Sequence, residues 1–363
     1  MVNNNQAAVP AIDNSVFFRK AGFFKFYLFS VVILTHALNY EAYSLGTQPG
    51  AAAAVLYFLE RLEFNVSWIS MPLYFLISGY SFMLGFKISG VFSKWKRRVY
   101  SLLIPWLLWN SIMWLLGIAM ETIPAIASRL NSGFGYELSL RSWVVDGLLL
   151  PADGPLWFLT NLMVAVLLSP VIHLLTKNRY VGLAAIAACF AAIHFTNASR
   201  FSILMSLLFF TEASFCAAHL QHLVVRQYRP LERMISGLIL AGFVLFSFDP
   251  RVLGGGLIHA LTFSVASPAL WVVVGNVRLG EKAAKAEKYR FWVYASHYLP
   301  LECVEKLWLI VGGVSVGAAW LGMIMCPVVT LVLLVAAGML AEKFCYPLWC
   351  MLTGKKPRLR PKE

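Results

Sequence analysis

Apolar stretches of about twenty residues recur along the whole chain, separated by short polar segments that hold most of the charge. A helix needs about 20 predominantly apolar residues to cross a hydrocarbon layer ~30 Å thick. Ten stretches approach that length: 21–40, 64–86, 100–120, 155–175, 180–197, 201–222, 232–248, 253–277, 291–311 and 319–342. The pattern predicts an all-α, polytopic membrane bundle of about ten transmembrane helices. A shorter apolar stretch, 50–59, precedes the second span and reads as an interfacial helix. The chain divides into an N-terminal segment (1–20), a transmembrane domain (21–345) and a basic tail (346–363) that would meet anionic lipid.

The charges between the spans set an orientation. Alternate connections, taken with both termini, carry 23 Lys and Arg residues; the opposite set carries five: Arg61, Arg129, Arg141, Arg200 and Arg251. Positive residues stay on the cytoplasmic side of a membrane, so both termini are predicted to be cytoplasmic. The longest connection, about 121–154, lies on the far side and contains Asp146 and Asp153.

Composition agrees with this picture. The chain is 60% hydrophobic and 13% charged, whereas soluble domains carry about 25% charged residues. The net charge of +13 is spread through short loops, and aromatic motifs for stacking bases are absent, so nucleic acid is not an expected partner. The first twenty residues lack the apolar region of a cleavable signal, which predicts that the first span remains as an anchor. The six cysteines show no metal-ligand spacing and read as small hydrophobes, and no metal is expected.

Ionisable groups inside a span are costly and are functional candidates by default. Lys25 and His36 both fall in the first span. Eleven residues at 100° each bring them within ~20° of the same face, and ~16 Å apart along the axis. The bland reading is that Lys25 snorkels to the headgroups and His36 bonds a neighbouring helix. Pro72, Ser78 and Gly79 interrupt the second span in MPLYFLISGY, a pattern for a close helix contact or for a notch beside a ligand. The cluster KWKRR (94–98) begins the third. It serves as a positive anchor or as a clamp for a phosphorylated ligand. Trp157 opens the fourth span, where interfacial tryptophans are common, and Tyr294 and His297 lie about two turns into the ninth. His194 and His259 read as structural.

The motifs in order are Lys25 with ten residues before His36, PLYFLISGY (72–80), KWKRRVYSLLIPW (94–106), PLWFL (155–159) and VYASH (293–297). Together they resemble the acyltransferase 3 family of membrane acyltransferases over about residues 22–342. Lys25 stands where the family usually has Arg, and Tyr74 where it usually has Phe. The exchange keeps the charge of Arg but loses its bidentate fork.

The resemblance implies a bacterial inner-membrane, multi-pass enzyme. It would move an acyl group, usually acetyl, from cytoplasmic acetyl-CoA or another acyl-CoA to a hydroxyl of an extracytoplasmic glycan or glycolipid. The acyl-CoA is a donor substrate, and no permanently bound cofactor is implied. On that reading the coenzyme phosphates meet Lys96, Arg97 and Arg98, with Lys25 assisting catalysis. Ser78, Tyr74, Tyr294 and His297 line the donor side. His36, whose ordinary pKa of ~6.5 leaves neutral imidazole at pH 7, deprotonates the acceptor hydroxyl as general base. A covalent acyl-histidine is the alternative. Tyr40, Glu41, Asp153 and Trp157 are acceptor contacts. The rival class is a transporter or flippase, which would move its substrate without acyl chemistry; no internal repeat or matched pair of broken helices supports it.

Overall fold

The computed structural model describes residues 12–37, 50–124, 135–277, 280, 283 and 287–356. Among these residues the regular structure is helical throughout. The chain runs through α1 (Ser15–His36), α2 (Ala51–Ser67), α3 (Ser70–Met83), α4 (Val91–Arg98) and α5 (Ile104–Thr122). A helical stretch at 140–149 leads to α6 (Trp157–Leu167), α7 (Ser169–Lys177), α8 (Arg179–Thr196) and α9 (Ile203–His219). After α10 (Gln221–Val225) come α11 (Pro230–Phe246), α12 (Pro250–Gly254) and α13 (Gly256–Val274). The chain closes with α14 (Arg290–Ser296), α15 (Tyr298–Gly312), α16 (Val316–Phe344) and α17 (Tyr346–Thr353).

Among the described residues, each of the ten apolar stretches lies mainly on helix. Among the described residues, four helical segments are individually long and apolar enough to cross a membrane: 88–122, 179–196, 256–274 and 316–344. The segments 140–149 and 154–167, bent by 69°, make a fifth if taken as one span. Several stretches are divided where the sequence suggested continuity. The apolar segment at 50–59 is part of the 17-residue α2, which meets α3 across Trp68 and Ile69. The ninth stretch breaks at His297, between α14 and α15.

Helix α16 illustrates how the fold is solved in a lipid solvent. Its buried side is Ala318, Gly322, Cys326, Thr330, Leu334 and Gly338, a mostly small residue every fourth position. Its exposed side carries Leu321, Ile324, Val328 and Val332. Hydrocarbon offers no hydrophobic drive between helices, so small residues allow close approach while large ones face the tails. The interior centres on α9, which packs most extensively against α3. Gly79 makes that contact possible: a Cβ there would lie 2.8 Å from the Ala213 Cβ. Gly79 is therefore the close helix contact of the two readings.

Between α4 and α5 the helix widens into a π-turn over Val99–Leu103. Pro105 lacks an N–H, so the Ser101 carbonyl loses its i+4 donor. The C-terminal helix α17 closes on this point. Gly354, at φ +68°, approaches so tightly that a Cβ would stand 2.7 Å from the Ser101 oxygen. Trp109 donates to the Leu352 carbonyl at 3.0 Å. The first part of the expected tail is thus a docked helix, with Trp349 and Cys350 buried.

Candidate active site

Three cavities follow one another along α1 and α3. The first, of about 350 Å³, is lined by Ser81, Phe82, Lys94, Arg97, Arg98 and Ser101. The helix α4 places Lys94, Arg97 and Arg98 on one face, because residues three and four apart are neighbours. Its position is fixed by Trp95, which donates to the Val166 carbonyl at 2.9 Å, and by Lys94, which donates to the Phe82 carbonyl in the last turn of α3 at 2.5 Å. The Arg98 guanidinium lies 5.3 Å from the Phe82 ring centre.

Ser81, Phe82 and Arg98 are also walls of the second cavity, of about 220 Å³. Lys25 enters it from α1, Tyr74 and Ser78 from α3, and Arg290 and Tyr294 from α14. Tyr74 donates its hydroxyl to the Lys25 carbonyl at 2.8 Å, which locks α3 to α1 at this level. Tyr294 donates to the Pro155 carbonyl at 2.7 Å, tying α14 to the segment that precedes α6. Arg290 pairs with Glu287. Among the described residues the two cavities are lined by five cations, Lys25, Lys94, Arg97, Arg98 and Arg290, and by no carboxylate.

Met71 is a common wall of the second and third cavities. The third, of about 350 Å³, holds His36 and Thr35 from the end of α1, with Trp68, Trp157, Arg200, Phe201 and Tyr298 around them. The His36 ring sits 5.2 Å from the His297 ring and meets Tyr298 edge-on at 5.6 Å. His297 is fully buried. Its Nδ1 lies 2.7 Å from the Tyr294 carbonyl, an acceptor, so that nitrogen carries the proton. Its Nε2 has no hydrogen-bond partner among the described residues.

Most of the residues singled out from the sequence converge here. Lys25, Tyr74, Ser78 and Tyr294 share the middle cavity, Arg97 and Arg98 the first, and His36 and Trp157 the third. His297 departs from its expected place: the break between α14 and α15 carries it past the donor-side group and against His36. Lys96 is exposed and lines none of the three cavities, because it projects away from the Lys94–Arg97–Arg98 face of α4. Asp153, expected as an acceptor contact at the far surface, is 1% exposed. Its N–H donates to the Asn110 side-chain oxygen at 3.1 Å. Tyr40 and Glu41 lie outside the described residues.

Arg290, Arg200 and Tyr298 were not anticipated. Arg290 was legible in principle, since it stands four residues before Tyr294 and seven before His297 on the same helical face. Arg200 was visible as one of few cations on its side of the chain. Of the two histidines read as structural, His259 is held by Val252, with Nδ1 2.6 Å from its carbonyl, and His194 is exposed on α8.

A family model described as an acyltransferase domain matches residues 23–339. Over 316 residues the chain is 25% identical to the succinoglycan biosynthesis protein ExoH of Rhizobium meliloti strain 1021, a match covering 79% of each chain. No solved structure matches it. The family match takes in all three cavities and nearly the whole helical bundle: this chain belongs to the acyltransferase 3 family and is a membrane acyltransferase.

Proposed function

We propose that this protein is a multi-pass enzyme of the bacterial inner membrane that transfers an acyl group, acetyl in the first instance, from cytoplasmic acyl-CoA to a hydroxyl of an extracytoplasmic polysaccharide. The observation that carries the reading is the polarity of the three cavities. Five cations line one end, of which only Arg290 has a carboxylate partner, Glu287, among the described residues, and an aromatic cavity holding a histidine forms the other. Coenzyme A is a polyanion, and charge-assisted contacts from Lys and Arg suit its phosphates. Its pantetheine arm is long and thin enough to follow the middle cavity while the nucleotide stays at the basic mouth. The charge bias of the loops supports ten spans with both termini cytoplasmic, which puts the basic mouth inside and His36 towards the outside. The relative in Rhizobium meliloti is named for succinoglycan biosynthesis, which supports a polysaccharide acceptor.

In the transfer, His36 removes the proton from the acceptor hydroxyl. The oxygen attacks the thioester carbonyl, the C–S bond breaks, and the coenzyme leaves as a thiolate that takes the proton back from the imidazolium. His297, fixed by the Tyr294 carbonyl, is a positioning residue that holds the His36 ring in its working orientation. Lys25 and Arg290 hold the donor arm or its phosphates in the middle cavity.

The test is His36→Ala in membrane-inserted protein, with acyl incorporation into the surface polysaccharide read by mass and coenzyme A binding read separately. Loss of incorporation with retained binding is expected. Wild-type incorporation by the variant would sink the catalytic assignment.

A further inference from the structure

The His36 cavity contains a cation that acyl transfer to a neutral sugar does not require. Arg200 projects into it, half-buried between α8 and α9. The guanidinium lies 4.0 Å from the Trp68 ring centre and 5.0 Å from that of Phe201. One nitrogen, Nη1, donates to the Leu253 carbonyl at 2.9 Å. Among the described residues no carboxylate forms an ion pair with it. A guanidinium carries five N–H donors, and among the described residues only one of those of Arg200 meets a protein acceptor.

Arg200 is also held in place by its backbone surroundings. The Ala198 carbonyl accepts from the Gly256 N–H at 2.8 Å. Gly255, at φ +106°, lets the two segments approach so closely that a Cβ would fall 2.8 Å from the Arg200 nitrogen. His259 anchors the same turn through Val252. Around the cation stand flat aromatic faces: Trp68 meets Phe201 edge-on at 5.5 Å, and Trp157 meets Phe201 at 5.1 Å. Aromatic faces take the apolar faces of sugar rings, and a preoriented guanidinium takes a pair of anionic oxygens.

We propose that the acceptor is an acidic glycan, whose carboxylate or phosphate is received by Arg200 while Trp68, Trp157 and Phe201 hold its sugar rings, so that a hydroxyl is presented to His36. This rests on the acyltransferase reading and adds the charge class of its acceptor.

The experiment uses the full-length protein in lipid nanodiscs. The probes are tetragalacturonate against its carboxyl-reduced neutral form, and mannose 6-phosphate against mannose. Tryptophan fluorescence reads binding, and release of free thiol from acetyl-CoA reads transfer. At low salt at least one acidic probe should bind ten times more tightly than its neutral counterpart, about 1.4 kcal/mol. The pair that shows the preference identifies the anion as carboxylate or phosphate. In Arg200→Gln the acidic-to-neutral ratio should fall below twofold, and Arg200→Lys should keep part of it.

Equal binding of both members in both pairs, or binding of no probe, would overturn the proposal, and so would a preference that survives Arg200→Gln. If Arg200 instead served the oxyanion of the reaction, the glutamine variant would lose kcat on acidic and neutral acceptors alike with KM unchanged, which also refutes it. The two readings fail separately. Transfer to neutral sugars without an acidic preference would leave the acyltransferase reading standing. An acidic preference without thiol release would leave the binding site and remove the transfer chemistry.

Discussion

The contact between α3 and α9 offers a sharp quantitative prediction, because it depends on the absence of one carbon atom. In Gly79→Ala the new Cβ would stand 2.8 Å from the Ala213 Cβ, 3.2 Å from the Phe210 Cδ2 and 3.4 Å from the Phe210 Cα. Carbon atoms rest at about 3.5–4.0 Å. The clash with Ala213 cannot be relieved by a rotamer, since neither Cβ moves without its backbone. The helices must separate by roughly 1 Å, and overpacking of this kind costs about 1–3 kcal/mol. The cost falls on the most extensively packed helix pair among the described residues. Tyr74 and Ser78 ride on the same helix, so the displacement reaches the middle cavity. Gly22 provides the opposite case, as a Cβ there meets nothing within 4 Å. Gly22→Ala, in the interior of α1, should stabilise by about 0.5–1 kcal/mol through lower backbone entropy. The assay is thermal unfolding in detergent, followed by donor KM on the same preparations. Gly79→Ala should melt several degrees below wild type with a raised donor KM, and Gly22→Ala at or above wild type. Equal melting temperatures for Gly79→Ala and wild type would show that α3 and α9 do not pack as described.

Other expectations follow from the cavities. Arg98→Gln should weaken coenzyme A binding by roughly tenfold, the order of a lost charge-assisted contact, whereas Lys96→Gln should change it less than twofold; titration with the coenzyme compares them, and equal losses would contradict the one-sided face of α4. Tyr294→Phe leaves the buried Pro155 carbonyl without its donor, a loss of about 1–3 kcal/mol, and lower thermal stability is the expected readout. His297→Gln should lower kcat while leaving donor KM in place; a variant with wild-type kcat would remove His297 from the positioning of His36.

How much of this was legible in the chain varies residue by residue. Lys25 and His36 could be placed on one face of α1 because eleven residues nearly complete three turns, and a helix keeps that phase along its length. The same arithmetic applied within 94–98 separates Lys94, Arg97 and Arg98 from Lys96, although the cluster read as a block does not reveal it. Gly79 was visible as an interruption, but only its neighbours Ala213 and Phe210 decide that it serves packing while Ser78, one position earlier, faces the cavity. The ninth span looked continuous, and depth along it put His297 with the donor. The break at His297 and the Nδ1 bond to Tyr294 turn the ring towards His36 instead.

By itself the sequence determined the solvent, the helical class and the phase of each polar residue on its own helix. These depend on local composition and on a period of 3.6 residues. Only the tertiary structure decided which faces meet. It brought Arg290 beside Lys25, 265 positions apart in the chain, and set Arg200 on Trp68 within reach of the His36 cavity. It also turned Asp153 inward. Such encounters depend on the fit of small residues against large ones across distant segments, and no periodicity within one segment records them.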